Sequence, residues 1–202
     1  SGRWIVSGLG GGVQNELVAD YALRASRGGS AGTPVGQPRI GLYRPWSASM
    51  DEGWSRWLME MYGIAHTNLY NADVRAGDLK SRYDVIVLSD MRAGQIINGS
   101  APGTVPPRYA GGIGPEGLRE IDAFVRAGGT LVTVNGSSQL AIDELHLPVS
   151  NVIQGVSRDE YFAGGAIVEL LVDPSHPVMS GMEERSKVFI GGSPVFTTEE
   201  GF

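Results

Sequence analysis

The segment Asn135-Gly136-Ser137-Ser138-Gln139-Leu140 holds the residues of this chain whose types and setting could carry chemistry. Upstream, Leu118, Ile121, Phe124 and Val125 recur at helical spacing, Gly128-Gly129 stops that helix, and Thr130-Leu131-Val132-Thr133-Val134 reads as a strand covered on both faces. Downstream a second helix begins near Gln139. A strand that enters a helix through a sharp turn of small residues is the architecture of a nucleophile site, yet the 202-residue chain contains no cysteine. Ser137 and Ser138 are the remaining nucleophile candidates. Ser137 is followed by Ser138-Gln139, so the Gly-x-Ser-x-Gly spacing is not met, and a pair of serines capping the next helix is the favoured reading. His176, in Asp173-Pro174-Ser175-His176-Pro177, is the candidate base for a Ser137 hydrolase; a structural place in a proline-bracketed turn is the simpler expectation.

Other combinations carry less. His66 and His146 lack metal-ligand spacing, so no metal site and no cofactor is expected from this chain alone. Asp51 and Glu52 are adjacent, point about 100° apart on a helix and cannot flank one substrate atom; their expected place is the cap of that helix. Gly8-Leu9-Gly10-Gly11-Gly12 lacks the register of a nucleotide cradle and reads as a flexible turn. Trp46, Trp54, Trp57 and Tyr109 include a candidate sugar-stacking platform, although Trp54 and Trp57 read more simply as core residues of their helix.

The elements that must position these residues follow from periodicity. Arg39-Ile40-Gly41-Leu42-Tyr43 is a strand, and residues 52–62 form a helix with Trp54, Trp57, Leu58 and Met61 on one face, capped by Ser49 or Asp51. Residues 64–69, 83–88 and 130–134 are further strands, and 167–172 and 187–190 are later ones, expected as an antiparallel extension. Strands alternating with helices predict a doubly wound, mainly parallel α/β sheet. Ligands bind such sheets beyond the carboxyl ends of the strands. That rule selects Arg44-Pro45-Trp46-Ser47, Ser89-Asp90-Met91-Arg92 and Asn135-Gly136-Ser137-Ser138, with the long segment 93–114 folding over them as a cover. The candidate pocket is therefore Arg44, Trp46, Ser89, Asp90, Tyr109, Asn135, Gly136, Ser137, Ser138, Gln139 and His176.

Residues 26–38 are rich in Gly, Ser and Pro and read as a linker; a short amphipathic helix over 14–25 precedes it. The expected division is residues 1–37 as the tail of a preceding domain plus linker, and 38–202 as the α/β domain. The start at Ser1-Gly2 and the open end at Gly201-Phe202 suggest a piece of a longer protein with a truncated sheet. A formal charge of −6 and the absence of a Lys/Arg cluster argue against nucleic acid as partner. No apolar run is long enough for a membrane-spanning helix. Without cysteine there are no disulfides, and the compartment stays open.

Three groups of segments carry a family resemblance: Arg39-Ile40-Gly41-Leu42-Tyr43-Arg44-Pro45-Trp46 with Asp51-Glu52-Gly53-Trp54-Ser55-Arg56-Trp57; Pro107-Arg108-Tyr109-Ala110-Gly111-Gly112-Ile113-Gly114; and Phe124-Val125-Arg126-Ala127-Gly128-Gly129-Thr130-Leu131-Val132 with Tyr83-Asp84-Val85-Ile86-Val87-Leu88 and His176-Pro177. From Pro38 to Phe202 the chain resembles the C-terminal, class I glutamine amidotransferase-like domain of large bacterial proteins in the zinc carboxypeptidase (carboxypeptidase A-like metallopeptidase) family. The resemblance implies a flavodoxin-like sheet and places Asn135 where amidotransferases carry their cysteine. It also implies an attached peptidase domain holding the zinc and the catalytic glutamate, none of whose motifs matches here, and a periplasmic or secreted parent. The expected function is a non-catalytic accessory domain that packs on, or presents substrate to, that peptidase domain, with a peptide or carbohydrate as ligand. The alternatives are a carbohydrate-binding module related to trehalose-utilisation-type domains, and a serine hydrolase using Ser137 and His176.

Overall fold

The computed structural model of the chain describes residues 5–26, 28, 36–179 and 181–199. Most of the expected linker and the last three residues lie outside the described residues. The chain divides into two compact units, Ser1–Gly36 with Gly165–Ile190, and Gln37–Gly164 with Gly191–Phe202. The sequence reading also divided the chain near residue 37, but it kept Gly165–Ile190 with the α/β domain.

In the first unit, helix α1 spans Gly11–Asp20. It begins three residues earlier than its apolar pattern suggested, so Gly11 and Gly12 open a helix and are not part of a flexible turn. Tyr21 caps its end, and Ala22 just beyond has a positive φ of 50°, outside helical space.

The second unit is a mixed α/β structure. Its elements run β1 (Ile40–Tyr43), α2 (Met50–Met61), β2 (His66–Leu69), α3 (Asn71–Arg75), α4 (Leu79–Arg82), β3 (Val85–Leu88), α5 (Ala93–Asn98), α6 (Gly114–Arg126), β4 (Thr130–Thr133), α7 (Ser138–Glu144) and β5 (Val149–Asn151). Back in the first unit follow β6 (Ala166–Leu171) and β7 (Arg185–Ile190), and the second unit ends with β8 (Phe196–Thr198). Strands β1 to β4 make one parallel sheet in the order β2-β1-β3-β4, flanked by helices and compatible with a flavodoxin-like arrangement. Strands β5 and β8 form a separate antiparallel pair, as do β6 and β7. The later strands therefore pair with each other and do not extend the parallel sheet.

Period-two alternation sorts the strand residues onto two faces. Tyr43, Leu69, Ile86 and Leu88 share a core with Val74, Leu79, Tyr83, Ile96, Ile113, Ile121, Phe124 and Leu140, all contributed by helices or loops on one side. Leu42 alternates to the other face and is fully buried, and α2 is the helix in contact with β1. Cover is lost along that row: Val132, reached from Leu42 through Val87, is 40% exposed. Strand β4 is therefore covered on one face only, not on both. Residues 93–114, expected as a cover, include α5 and bury Ile96 and Ile113 in the core.

Helix α2 reverses another expectation. Ser49 Oγ accepts from Glu52 N at 3.2 Å, the cap the sequence suggested. The inward residue is Glu52, only 6% exposed and paired through Oε1 with Arg56 Nε at 3.1 Å. Trp54 and Trp57, 57% and 46% exposed, lie edge to face on the outside with Leu58 and Met61. Periodicity found the apolar stripe correctly, but the stripe faces away from the sheet.

At the amino end of the sheet, Arg39 clamps Asp84. Its Nη2 donates to Oδ1 at 2.8 Å, and its Nε and backbone N donate to Oδ2 at 3.0 and 2.9 Å. The Arg39 side-chain hydrogen bonds, aided by that backbone amide, hold the Asp84 carboxyl well below the usual carboxylate range. A depressed folded pKa contributes stability that is present above the unfolded value near 4 and is lost as pH falls through the folded one. The acid limb of the unfolding midpoint between about pH 5 and pH 2 should therefore flatten in Asp84→Asn. Urea midpoints measured across that range check this, and parallel wild-type and variant curves would contradict it. Both side chains are partly exposed, so the effect is modest.

Candidate functional site

The four parallel strands bring the loops after β1, β2, β3 and β4 to one edge of the sheet. There the residues fall into two groups. After β4 the backbone turns sharply at Asn135, whose φ is +52°. Asparagine is one of the few side chains that accept this left-handed region readily. Asp90, following β3, holds the turn: its Oδ1 accepts from Gly136 N at 2.9 Å, and its Oδ2 accepts from Asn135 Nδ2. A Cβ at Gly136 would stand 2.9 Å from Asp90 Oδ1, so a larger residue here would displace the bracketing carboxylate. Both carboxylate oxygens are engaged, so Asp90 brackets the turn. Asn135 Oδ1 is buried and has no hydrogen-bond partner.

Ser137 is fully buried. Its Oγ accepts from Val134 N at 2.8 Å and sits 2.9 Å from both Leu88 O and Val134 O, to which it donates. The hydroxyl thus ties the end of β3 to the end of β4, and no side of it is open to a substrate. It is the residue before α7 but makes no side-chain cap there, so the expected capping role is replaced by this strand tie. Ser138 Oγ approaches Thr133 O and Thr133 Oγ1 at 3.4 Å, pointing back to β4 and not onto the helix amides. Gln139 donates from Nε2 to Asp143 Oδ1 at 2.7 Å.

His176 belongs to the other unit. It is exposed in a turn where its Nδ1 accepts from Val178 N at 3.3 Å and its own N–H donates to Asp173 O. Asp173 takes the Ser175 hydroxyl and amide in the same turn, and these bonds lower its pKa. The proline-bracketed turn is a self-contained structure. Together with the engaged Ser137 hydroxyl, it gives no support to a serine-histidine pair.

The second group lies after β1 and β2. Trp46 stacks on Tyr70 with ring centroids 4.5 Å apart and 13° between planes, and Tyr109 tilts against it at 4.7 Å. Arg108 lies over the Tyr109 ring at 4.4 Å. Beneath them Tyr43 donates its phenol to Asn71 Oδ1 at 2.6 Å, and Asn71 Nδ2 donates to Gly111 O. Burial pushes the Tyr43 phenol well above its usual pKa, so it remains a donor. The hollow among these rings is about 10 Å³, room for one water, so the expected Trp46–Tyr109 pair exists but closes over the strand ends. Arg44 extends β1 by donating its backbone N–H to Leu69 O, and Ser89 is buried with its hydroxyl on Ser55 of α2.

An open cleft of about 250 Å³ lies beside the Asn135 turn, lined by Asn135, Gly136, Gln139, Asn151, Ile153, Gly192, Pro194 and Phe196. Three of these residues were in the sequence-based pocket. The other five come from β5, β8 and their flanks, where Asn151 and Phe196 are direct cross-strand partners. Nothing in the sequence paired Phe196-Thr197-Thr198 with Val149–Asn151. Among the described residues no cluster of three or more His, Asp or Glu side chains could hold a metal ion, and no helix is long and apolar enough to cross a membrane. Compared with models of known families, with curated proteins and with solved structures, the chain matches none.

Proposed function

We propose that the chain is a non-catalytic accessory domain of amidotransferase-like, flavodoxin-like architecture, serving an attached zinc carboxypeptidase-like domain by packing on it or presenting its substrate. One observation carries the reading: the apex of the strand-to-helix elbow keeps the left-handed backbone of a nucleophile turn, φ +52°, but holds an asparagine whose side chain is tied to Asp90. The neighbouring hydroxyl of Ser137 is buried in backbone contacts and supplies no substitute. The strand order β2-β1-β3-β4 matches the first four strands of the flavodoxin-like order, which supports the fold assignment. The exposed apolar stripe of α2, with Trp54, Trp57, Leu58 and Met61, supports the packing role. Zinc, in this reading, belongs to the attached domain.

The test compares the parent protein with a form lacking this domain, in zinc content and peptidase activity. Retained zinc and retained turnover, with altered stability or substrate preference, is the expected result. Loss of all turnover with zinc and fold intact, or turnover by this chain alone, would overturn the reading.

A further inference from the structure

The cleft beside Asn135 has a composition that selects its ligand. None of its lining residues is charged; three are carboxamides, Asn135, Gln139 and Asn151, facing an apolar wall of Ile153, Pro194 and Phe196. An anion would find no cation among the lining residues and a cation no carboxylate. A wholly apolar ligand would strip water from the carboxamides without replacing its hydrogen bonds. The remaining class is a neutral molecule with polar edges and an apolar face.

The carboxamide bonds narrow it further. Gln139 uses its amide nitrogen on Asp143, which leaves Oε1 as an acceptor, while Asn135 lines the wall with its nitrogen on Asp90. Asn151 uses its oxygen, on Ile153 N at 3.3 Å, which leaves its nitrogen as donor. Neighbouring hydroxyls on one ring both donate and accept, and they match an acceptor and a donor. The ring of Phe196, exposed on the same face of the β5–β8 pair as Asn151, offers a surface for the C–H face of such a ring. The volume corresponds to roughly eight waters at about 30 Å³ each, which suits one pyranose ring. An extended peptide would instead engage the edge of a strand, whereas the Asn151 and Phe196 side chains present the face of the ribbon. We infer that the cleft formed by Asn135, Gln139, Asn151 and Phe196 binds a single neutral sugar unit. The inference rests on the elbow being a binding element and not a catalytic one.

The experiment is a titration of the isotope-labelled full chain, followed by amide and carboxamide NMR shifts, with methyl glucoside, methyl galactoside, methyl mannoside, N-acetylglucosamine, maltose and cellobiose. Glucuronate and the uncharged peptide N-acetyl-glycyl-glycinamide run alongside. Saturable shifts at Asn135, Gly136, Gln139 and Asn151 are expected with at least one neutral sugar and not with glucuronate. Phe196→Ala, at an exposed position, should weaken that binding roughly two- to tenfold while the spectrum stays that of a folded chain. Gln139→Ala should weaken it as well. No saturable shift with any neutral sugar, stronger binding of the peptide, or binding indifferent to both variants overturns the inference. Hydrolysis of a bound disaccharide would leave sugar binding standing and sink the non-catalytic reading, so the two failures are distinguishable.

Discussion

Replacing Gly112 with alanine is expected to cost about 4 kcal/mol or more, enough to unfold a domain of ordinary stability. A Cβ at this position would stand 2.3 Å from Ile96 O and 2.4 Å from Ile97 O, both backbone atoms of α5 that no rotamer change can move. The next residue, Ile113, is anchored there by its N–H on Ile96 O at 2.9 Å, and Arg75 donates to Gly112 O from α3. Gly112 is therefore the point where α5, the start of α6 and α3 meet. Urea unfolding followed by circular dichroism measures the effect. A midpoint close to the wild-type value would mean that residues 93–114 yield easily and are not part of the packed unit.

The second large effect is a contrast between two aromatic residues that the sequence treated alike. Phe124 is fully buried among the helices and strands of the main core, and Phe124→Ala should destabilise by about 3–5 kcal/mol. Trp57 is larger but sits on the outer side of α2, so Trp57→Ala should stay within about 0.5 kcal/mol in the isolated chain. Equal losses in the two variants would show that the α2 stripe is packed after all. If the stripe meets the attached domain, Trp57→Ala should weaken the parent protein more than it weakens this chain.

Strands β1, β3 and β4 were legible because each is a compact apolar run bounded by Gly, Asp or Pro; β2, His66-Thr67-Asn68-Leu69, is more polar, yet all four fall inside the expected ranges. The elbow was legible for the same reason: a buried-type run stops abruptly at Asn135-Gly136, where a left-handed residue and a close approach coincide. Orientation was not legible. The 3.6-residue period shows that Trp54, Trp57, Leu58 and Met61 share a face, but it does not show whether the sheet lies on that side. Here the Glu52–Arg56 pair takes the inner side. Long-range partners were not legible either. Ser137 looked like a helix cap because its nearest neighbours in sequence are helical, whereas its acceptor Leu88 lies 49 residues away. The cleft wall of Asn151 and Phe196 depends on a pairing between segments separated by the whole β6–β7 hairpin.

The most direct measurement of the central claim is ester and amide hydrolysis by the purified chain, wild type beside Ser137→Ala, with unfolding free energies of both. No turnover by either protein is the predicted result, together with a loss of about 1–3 kcal/mol in the variant, because Val134 N and Leu88 O lose their shared partner. Turnover by the wild type that disappears in Ser137→Ala, while the variant remains as stable as the wild type, would contradict it.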